Sequence, residues 1–275
     1  SGLITPTETP IRCGGAQSSY NYYVTSGGPR CEGIGHVGGA SLNLYDALGY
    51  SCNTYFYDLG RREGAENFNE MARTLGLATE TGVELSEYTG RTTDPDDDNF
   101  TLGLELMAAI GQGNTAVTPV QLATYAATIA NGGTRYRTHF ISSYRDSNTG
   151  EVVESFEPEV VAQVEDNIGA FDAVEEGMIR AAKNSSALRD YPMTIAVKTG
   201  SPQRWERDEK GNYAYTNTAV IAYGPVEDPQ IAIGAIMEYG GGGSNLLPVV
   251  RDIFNAYFIE KTGDLQSAEA GQLLP

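Results

Sequence analysis

An α+β domain, with an antiparallel sheet flanked by helices, is what the sequence predicts, on three observations. Three strand-like runs, Thr194–Ser201, Asn217–Tyr223 and Gln230–Tyr239, follow one another late in the chain. The last two are joined by Gly224-Pro225-Val226-Glu227-Asp228-Pro229, short enough for an antiparallel hairpin. Helical periodicities lie before and after them, and sequential hairpin-linked strands bracketed by helices are the pattern of an antiparallel sheet packed on helices.

Residues 1–40 are rich in Gly, Ser, Thr, Pro and Tyr without a sustained period, which reads as an irregular opening segment. Ser41 is then the expected N-cap of a short helix through Leu42, Leu44, Tyr45 and Leu48, closed by Gly49. Ser51-Cys52-Asn53 opens a second helix through Tyr55, Phe56 and Leu59, ending near Gly60. A third fits Ala65–Leu75, with Gly76 as its stop.

The acidic run Asp94-Pro95-Asp96-Asp97-Asp98-Asn99 lacks the glycine and distal glutamate of a calcium-binding loop, so a solvated loop is expected. Gly111-Gln112-Gly113-Asn114 reads as a turn that lets backbone approach a ligand or a strand. Thr118-Pro119-Val120-Gln121 combines a capping threonine, a first-position proline and a third-position glutamine, and opens a helix that stops at Asn131-Gly132-Gly133. Arg135–Tyr144 alternates weakly as a strand before a turn at Asn148-Thr149-Gly150. Phe171–Ala182 is helical, a polar loop spans Pro202–Tyr215, Leu246–Phe258 closes the domain as a helix, and the residues after Lys261 read as a tail.

The 275 residues hold 36 acids against 18 bases, a formal charge of −18, and only four of the bases are lysines. Phosphate binding needs basic clusters, and the sequence has none, which argues against nucleic acid as a partner. Three cysteines (Cys13, Cys31, Cys52) match no zinc spacing, and a Cys13–Cys31 disulfide is compatible with the sequence without being required by it. With His36 and His139 as the only histidines, a histidine metal site or a Ser-His-Asp triad has two candidates to draw on, and neither is expected. No apolar run approaches the ~20 residues of a membrane helix.

Chemistry concentrates at the end of the first strand. Period-2 geometry puts Ile195 and Val197 on one face of Thr194–Ser201 and Ala196, Lys198 and Gly200 on the other. The ammonium and a backbone without a side chain therefore point out together, where an extended peptide can lie along an edge strand. Taken alone, Lys198-Thr199-Gly200 also fits a plain strand with one solvated lysine and a turn glycine. Ser51 and Asn53 likewise fit plain helix capping.

Read together and in order, four blocks resemble the transpeptidase domain of the monofunctional, class B-like penicillin-binding proteins. They are Ser51-Cys52-Asn53-Thr54-Tyr55-Phe56-Tyr57; Gly111-Gln112-Gly113 with Thr118-Pro119-Val120-Gln121-Leu122-Ala123; Asn131-Gly132-Gly133; and Lys198-Thr199-Gly200-Ser201. The likeness runs from about Ile4 to Phe258, and implies one transpeptidase domain over residues 1–260 with a tail at 261–275. It implies the penicillin-binding-protein and serine β-lactamase fold, and three motifs around the active site: Ser-x-x-Lys with the nucleophile, Ser-x-Asn, and Lys-Thr-Gly.

Two of the three motifs are present. The residues three before Lys183, Lys198, Lys210 and Lys261 are Arg180, Ile195, Arg207 and Phe258, so Ser-x-x-Lys does not occur in the chain. In the family that motif lies a short way upstream of a segment much like Leu3-Ile4-Thr5-Pro6, so the chain is expected to begin just after its nucleophile. The family's sheet also has two earlier strands beside the one that here spans Gln230–Tyr239. Their absence is expected to expose an apolar edge along Ile231, Ile233, Ala235 and Met237.

By the same resemblance, Lys198 supplies positive potential to a bound acyl donor, Ser51 relays a proton to or from the leaving amine, and Asn53 orients the acyl side chain. Thr199, Gly200 and Ser201 pair with the donor backbone and hold its terminal carboxylate. Peptidoglycan stem peptides and β-lactam antibiotics are the implied ligands, with a glycosyltransferase as partner of the parent protein, at the outer face of a bacterial membrane. No metal or organic cofactor is implied. A D,D-carboxypeptidase or β-lactamase relative is the alternative enzyme, and a non-catalytic module binding wall peptides or β-lactams is the alternative from another class. Ser51 as nucleophile is disfavoured at this level, because Thr54 and Tyr55, one helical turn on, offer no base.

Overall fold

The computed structural model of the protein describes residues 2–7, 11–13, 31, 40–204, 206–209 and 215–262. Most of the irregular opening segment, His36, Lys210 and the tail after Thr262 lie outside them, as does part of the Pro202–Tyr215 loop.

Two-residue strands β1 (Ile11–Arg12) and β2 (Ser41–Leu42) pair antiparallel. Ser41 thus belongs to a ladder and is no helix cap. The cap of α1 (Leu44–Gly49) is Asn43, whose Oδ1 accepts the Asp46 N–H at 2.9 Å. Helix α2 (Asn53–Glu63) runs past Gly60 to Gly64. Gly60 is an inter-element contact, since a Cβ there would stand 2.3 Å from the Cβ of Ala109. The chain then forms α3 (Ala65–Thr74) and a helix the sequence reading passed over, α4 (Leu102–Ala108), capped by Thr101. The acidic loop is exposed, with Asp94 and Asp97 accepting from the N–H groups of Asp96 and Asn99.

Helix α5 (Pro119–Ala130) carries the full capping box foreseen at Thr118 and Gln121. Gln121 does more than cap: fully buried, it donates to the carbonyls of Thr79 and Thr89, both at 2.7 Å, and so stitches the 79–89 segment to the helix start. Truncating it would remove a partner from three part-buried backbone groups, at a cost of up to about 1–3 kcal/mol each. The weak alternation at Arg135–Tyr144 resolves into two strands serving different ladders. Strand β3 (Thr134–Tyr136) pairs with β6 (Val160–Gln163), and β4 (Ser143–Arg145) with β5 (Val152–Ser155).

Helix α6 (Ala170–Asn184) leads to the central sheet of β7 (Ala196–Gly200), β8 (Thr218–Gly224) and β9 (Ile231–Met237), antiparallel in that order. A 3₁₀ turn at Gly243–Leu246 precedes α7 (Leu247–Thr262). One sheet face, with Val197, Val220, Ala222 and Ile233, packs on Leu247, Val250 and Phe254 of α7. Each large apolar side chain buried there contributes about 1.5–3 kcal/mol. The other face, with Ala196 and Tyr223, packs on Ile129 of α5 and Met178 of α6.

The α5 backbone rests directly on β9, because a Cβ at Gly234 would lie 2.3 Å from the Ala123 nitrogen. The α+β reading holds, with one correction at β9. Ile233 is buried, and Ile231 and Ala235 pack against the same α7 core, leaving Met237 at 36% exposure. What β9 leaves open among the described residues is therefore its backbone edge, since it pairs there only with β8; its apolar side chains are largely covered.

Candidate active site

The site forms where the start of α2 meets the end of β7. Helix α1 ends in a paired-bond terminus: Cys52 N–H donates to the Ala47 carbonyl at 2.8 Å and Ser51 N–H to that of Leu48 at 3.2 Å. This is the six-to-one plus five-to-two pattern that places a left-handed residue just after the helix, normally glycine. Here it is Ser51, at φ +55°. A side chain in that region costs of order 1–3 kcal/mol, tolerated where surroundings over-determine it. What the strain secures is a hydroxyl presented at the helix start. Neither Ser51 nor Asn53 caps α2, because the cap position belongs to Cys52, which makes no side-chain capping bond. Asn53 is the first residue of the helix and half-buried.

Lys198 reaches this serine across 147 positions of sequence: its Nζ donates to Ser51 Oγ at 2.8 Å and to the Thr199 carbonyl at 3.0 Å. Burial of the ammonium pulls its pKa down to about 8. At neutral pH the group is mostly charged and close to giving up its proton, which suits both holding an anion and passing a proton through the serine hydroxyl.

Strand β7 is an edge of its sheet, with β8 as its one partner among the described residues. Gly200 pairs with Ala219, and a Cβ added to it would meet nothing nearer than Ala219 Cβ at 3.8 Å. The fold therefore does not require glycine at this position, and the bare backbone faces the edge for another reason. Ser201 Oγ accepts the Gly243 N–H at 2.7 Å.

That last contact exposes a feature the sequence reading missed. The run Gly240–Gly243 forms a strap beside Thr199-Gly200-Ser201, held by Thr216 Oγ1 on the Gly241 carbonyl at 2.8 Å and by Thr218 Oγ1 on those of Gly241 and Gly242 at 3.2 and 3.1 Å. The four consecutive glycines were visible, and their reason is close approach: a Cβ on Gly243 would lie 2.9 Å from that of Thr199. Ser51, Lys198 and Thr199 thus stand in one contact set, and Gly200 and Ser201 extend it along β7. His139 places Nδ1 at 2.8 Å from the Ile141 carbonyl, a local surface contact.

Ser51→Gly separates the strain from the chemistry. The variant is expected to unfold at a temperature a few degrees higher, about 1 kcal/mol more stable, because glycine takes positive φ without penalty. It loses the Lys198 contact at the same time. A melting temperature at or below that of the parent would show that the serine conformation is unstrained.

The transpeptidase domain model of penicillin-binding proteins matches residues 20–255. The chain is 32% identical to penicillin-binding protein 2A of Bacillus subtilis over 210 residues, which is 70% of this chain and 28% of that protein. It is 29% identical to the peptidoglycan D,D-transpeptidase PbpA of Mycolicibacterium smegmatis, over 78% of this chain and 43% of that one. Among solved structures, the ceftriaxone acyl-enzyme of penicillin-binding protein A from M. tuberculosis superposes with a TM-score of 0.68 at 27% identity, covering 78% of this chain and 48% of that one. The chain thus spans less than half the length of these relatives. With the family model covering most of its residues and the motif geometry in place, the chain belongs to the penicillin-binding protein transpeptidase domain family.

Proposed function

We propose that the protein containing this chain is a peptidoglycan D,D-transpeptidase that forms an acyl-enzyme with a stem peptide, releases the terminal D-alanine and passes the acyl group to an amine on a neighbouring strand. β-Lactams act on it as donor mimics. The observation that carries this reading is the contact between Lys198 Nζ and Ser51 Oγ beside the open edge of β7. The donor lies along Thr199–Ser201, its carboxylate drawn by the Lys198 ammonium and hydroxyls. Ser51 shuttles the proton of the leaving amine to and from Lys198, and Asn53 orients the acyl side chain. The acylated serine comes from a Ser-x-x-Lys motif that residues 1–275 do not contain.

The same reading places the protein on the outer face of the membrane, where stem peptides are, beside a glycosyltransferase that supplies the strands to be cross-linked. No helix among the described residues is long and apolar enough to cross a membrane. Acyl transfer of this kind needs an activated serine and an oxyanion hole and calls for no cofactor. A carboxypeptidase differs only in using water as acceptor, and product analysis with and without an acceptor amine separates the two.

One observation favours a second reading: Ser51 lies within hydrogen-bond reach of an amine whose pKa is near 8, so it has the base that its own helix lacks. Gel labelling decides between them. Residues 1–275 expressed alone are expected to form no covalent adduct with fluorescent penicillin. The same chain joined to a segment bearing Ser-x-x-Lys is expected to label on that serine. An adduct mapped to Ser51 by peptide mass analysis would establish the second reading and overturn the first.

A further inference from the structure

We propose that Cys13, Cys31 and Cys52 form a three-thiolate site for a thiophilic divalent cation, zinc above all, directly behind the Ser51-Cys52-Asn53 motif. The three are the whole cysteine complement of the chain, and their spacing in sequence suggests nothing. The fold brings them from three separate segments to one point, with all three sulfurs within 4.8 Å of one another. Each residue is at most 1% exposed.

The spacing of the sulfurs is compatible with a coordination shell. Zinc–sulfur bonds of ~2.3 Å directed to the corners of a tetrahedron set two sulfurs about 3.8 Å apart. Cys31 Sγ and Cys52 Sγ are 3.8 Å apart. A disulfide would bring the atoms to ~2.05 Å. The surroundings also fit, because the cluster sits in an apolar shell of Leu42, Ala47 and Tyr55, flanked by Ile4, Ile11 and Leu44. Thr54 Oγ1 lies 3.7 Å from Cys13 Sγ, positioned to turn its hydroxyl toward a thiolate as the outer-shell donor such sulfurs usually have.

The local fold gives such an ion something to do. Among the described residues, the regular structure before Cys52 is a two-residue ladder and a six-residue helix. Metal ligation supplies folding energy in small units of this kind. Cys52 is also the cap residue of α2, between the strained Ser51 and Asn53, so an ion bound there would anchor the backbone that presents both side chains.

Thiols ligate as thiolates, so each gives up its proton when a cation takes the proton's place. Binding then releases one proton per thiol to the buffer, and three thiolates with one divalent ion carry a net charge of −1. Three of the four positions zinc prefers are filled by the cysteines, and the fourth takes water or another donor.

The test does not depend on the transpeptidase reading. The full protein, purified under reducing conditions without chelator, is expected to hold about one zinc per chain by elemental mass spectrometry. Replacement by cobalt(II) is expected to give thiolate-to-cobalt charge-transfer absorption with strong tetrahedral visible bands. Cys13→Ser and Cys31→Ser, competed against a chromophoric chelator, should each bind zinc at least tenfold more weakly. If those variants fail to fold, an organomercurial titration of the parent protein serves instead, with zinc release expected in step with loss of thiols. Three outcomes overturn the proposal: no charge-transfer band on cobalt addition to the reduced protein, full metal content in the Cys13→Ser/Cys31→Ser double variant, or zinc that stays bound after all three thiols have reacted.

Discussion

Lys198→Ala, in the intact protein, is expected to slow acylation by penicillin by well over tenfold. A hydrogen bond to a charged group is worth about 1.5–3 kcal/mol, which is roughly a 10- to 150-fold effect on a rate if the contact is made in the transition state. The contact to Ser51 Oγ is lost outright, and under the proposed function the one to the ligand carboxylate goes with it, so the lower limit is conservative.

The pH dependence carries the same signature. The pKa of Lys198 is lowered in the folded state to about 8, so the charge is present below that value and lost above it. Acylation at low antibiotic concentration is therefore expected to decline as pH rises through 8, while the alanine variant stays flat over the same interval. Stability runs the other way. A depressed lysine pKa means that the charged form is penalised in the fold, so its unfavourable contribution is fully present below pH 8. It fades between 8 and the unfolded value of 10.5, because the unfolded chain holds the extra proton there. A decline in acylation accompanied by unfolding would have another origin. Equal acylation rates for parent and variant at neutral pH would place the anion-binding cleft elsewhere.

Gly200→Val is expected to abolish penicillin labelling while leaving the melting temperature within a few degrees of the parent. The two halves of this prediction have separate causes. Inside the fold, a Cβ at Gly200 meets only ordinary contacts, with Ala219 Cβ at 3.8 Å and Pro202 Cδ at 3.9 Å, and valine is a favoured strand residue. Outside it, the same side chain would stand where a donor backbone must approach β7 closely enough to pair with it. Stopped-flow acylation and calorimetry on one preparation measure both. Normal labelling would refute docking along this edge, and a large loss of stability would show that glycine is kept for the fold.

Much of this protein is local and was therefore readable from the chain. The hairpin of β8 and β9, the capping box of α5 and the glycine stops at Gly76 and Gly132 depend on neighbours within a few residues, and each appears where the residues put it. So does the alternation that sends Lys198 and Gly200 to one side of β7 and Val197 into the α7 core.

What failed was decided at a distance. Ser41 reads as a cap, but ladder pairing with Arg12 claims it; Gly60 reads as a stop, but it is the point where α2 meets Ala109. The Gly240–Gly243 strap and the Gln121 bonds to Thr79 and Thr89 join segments that local periodicity cannot relate. The sequence by itself determined the fold class, the motif residues and the face on which Lys198 stands. Only the tertiary structure decided that Lys198 meets Ser51, that the serine is held at positive φ, and that three cysteines with no meaningful spacing share one buried point. Spacing along a chain fixes geometry only over a turn of helix or a step of strand, while contacts across tens of residues are set by the packing of whole elements.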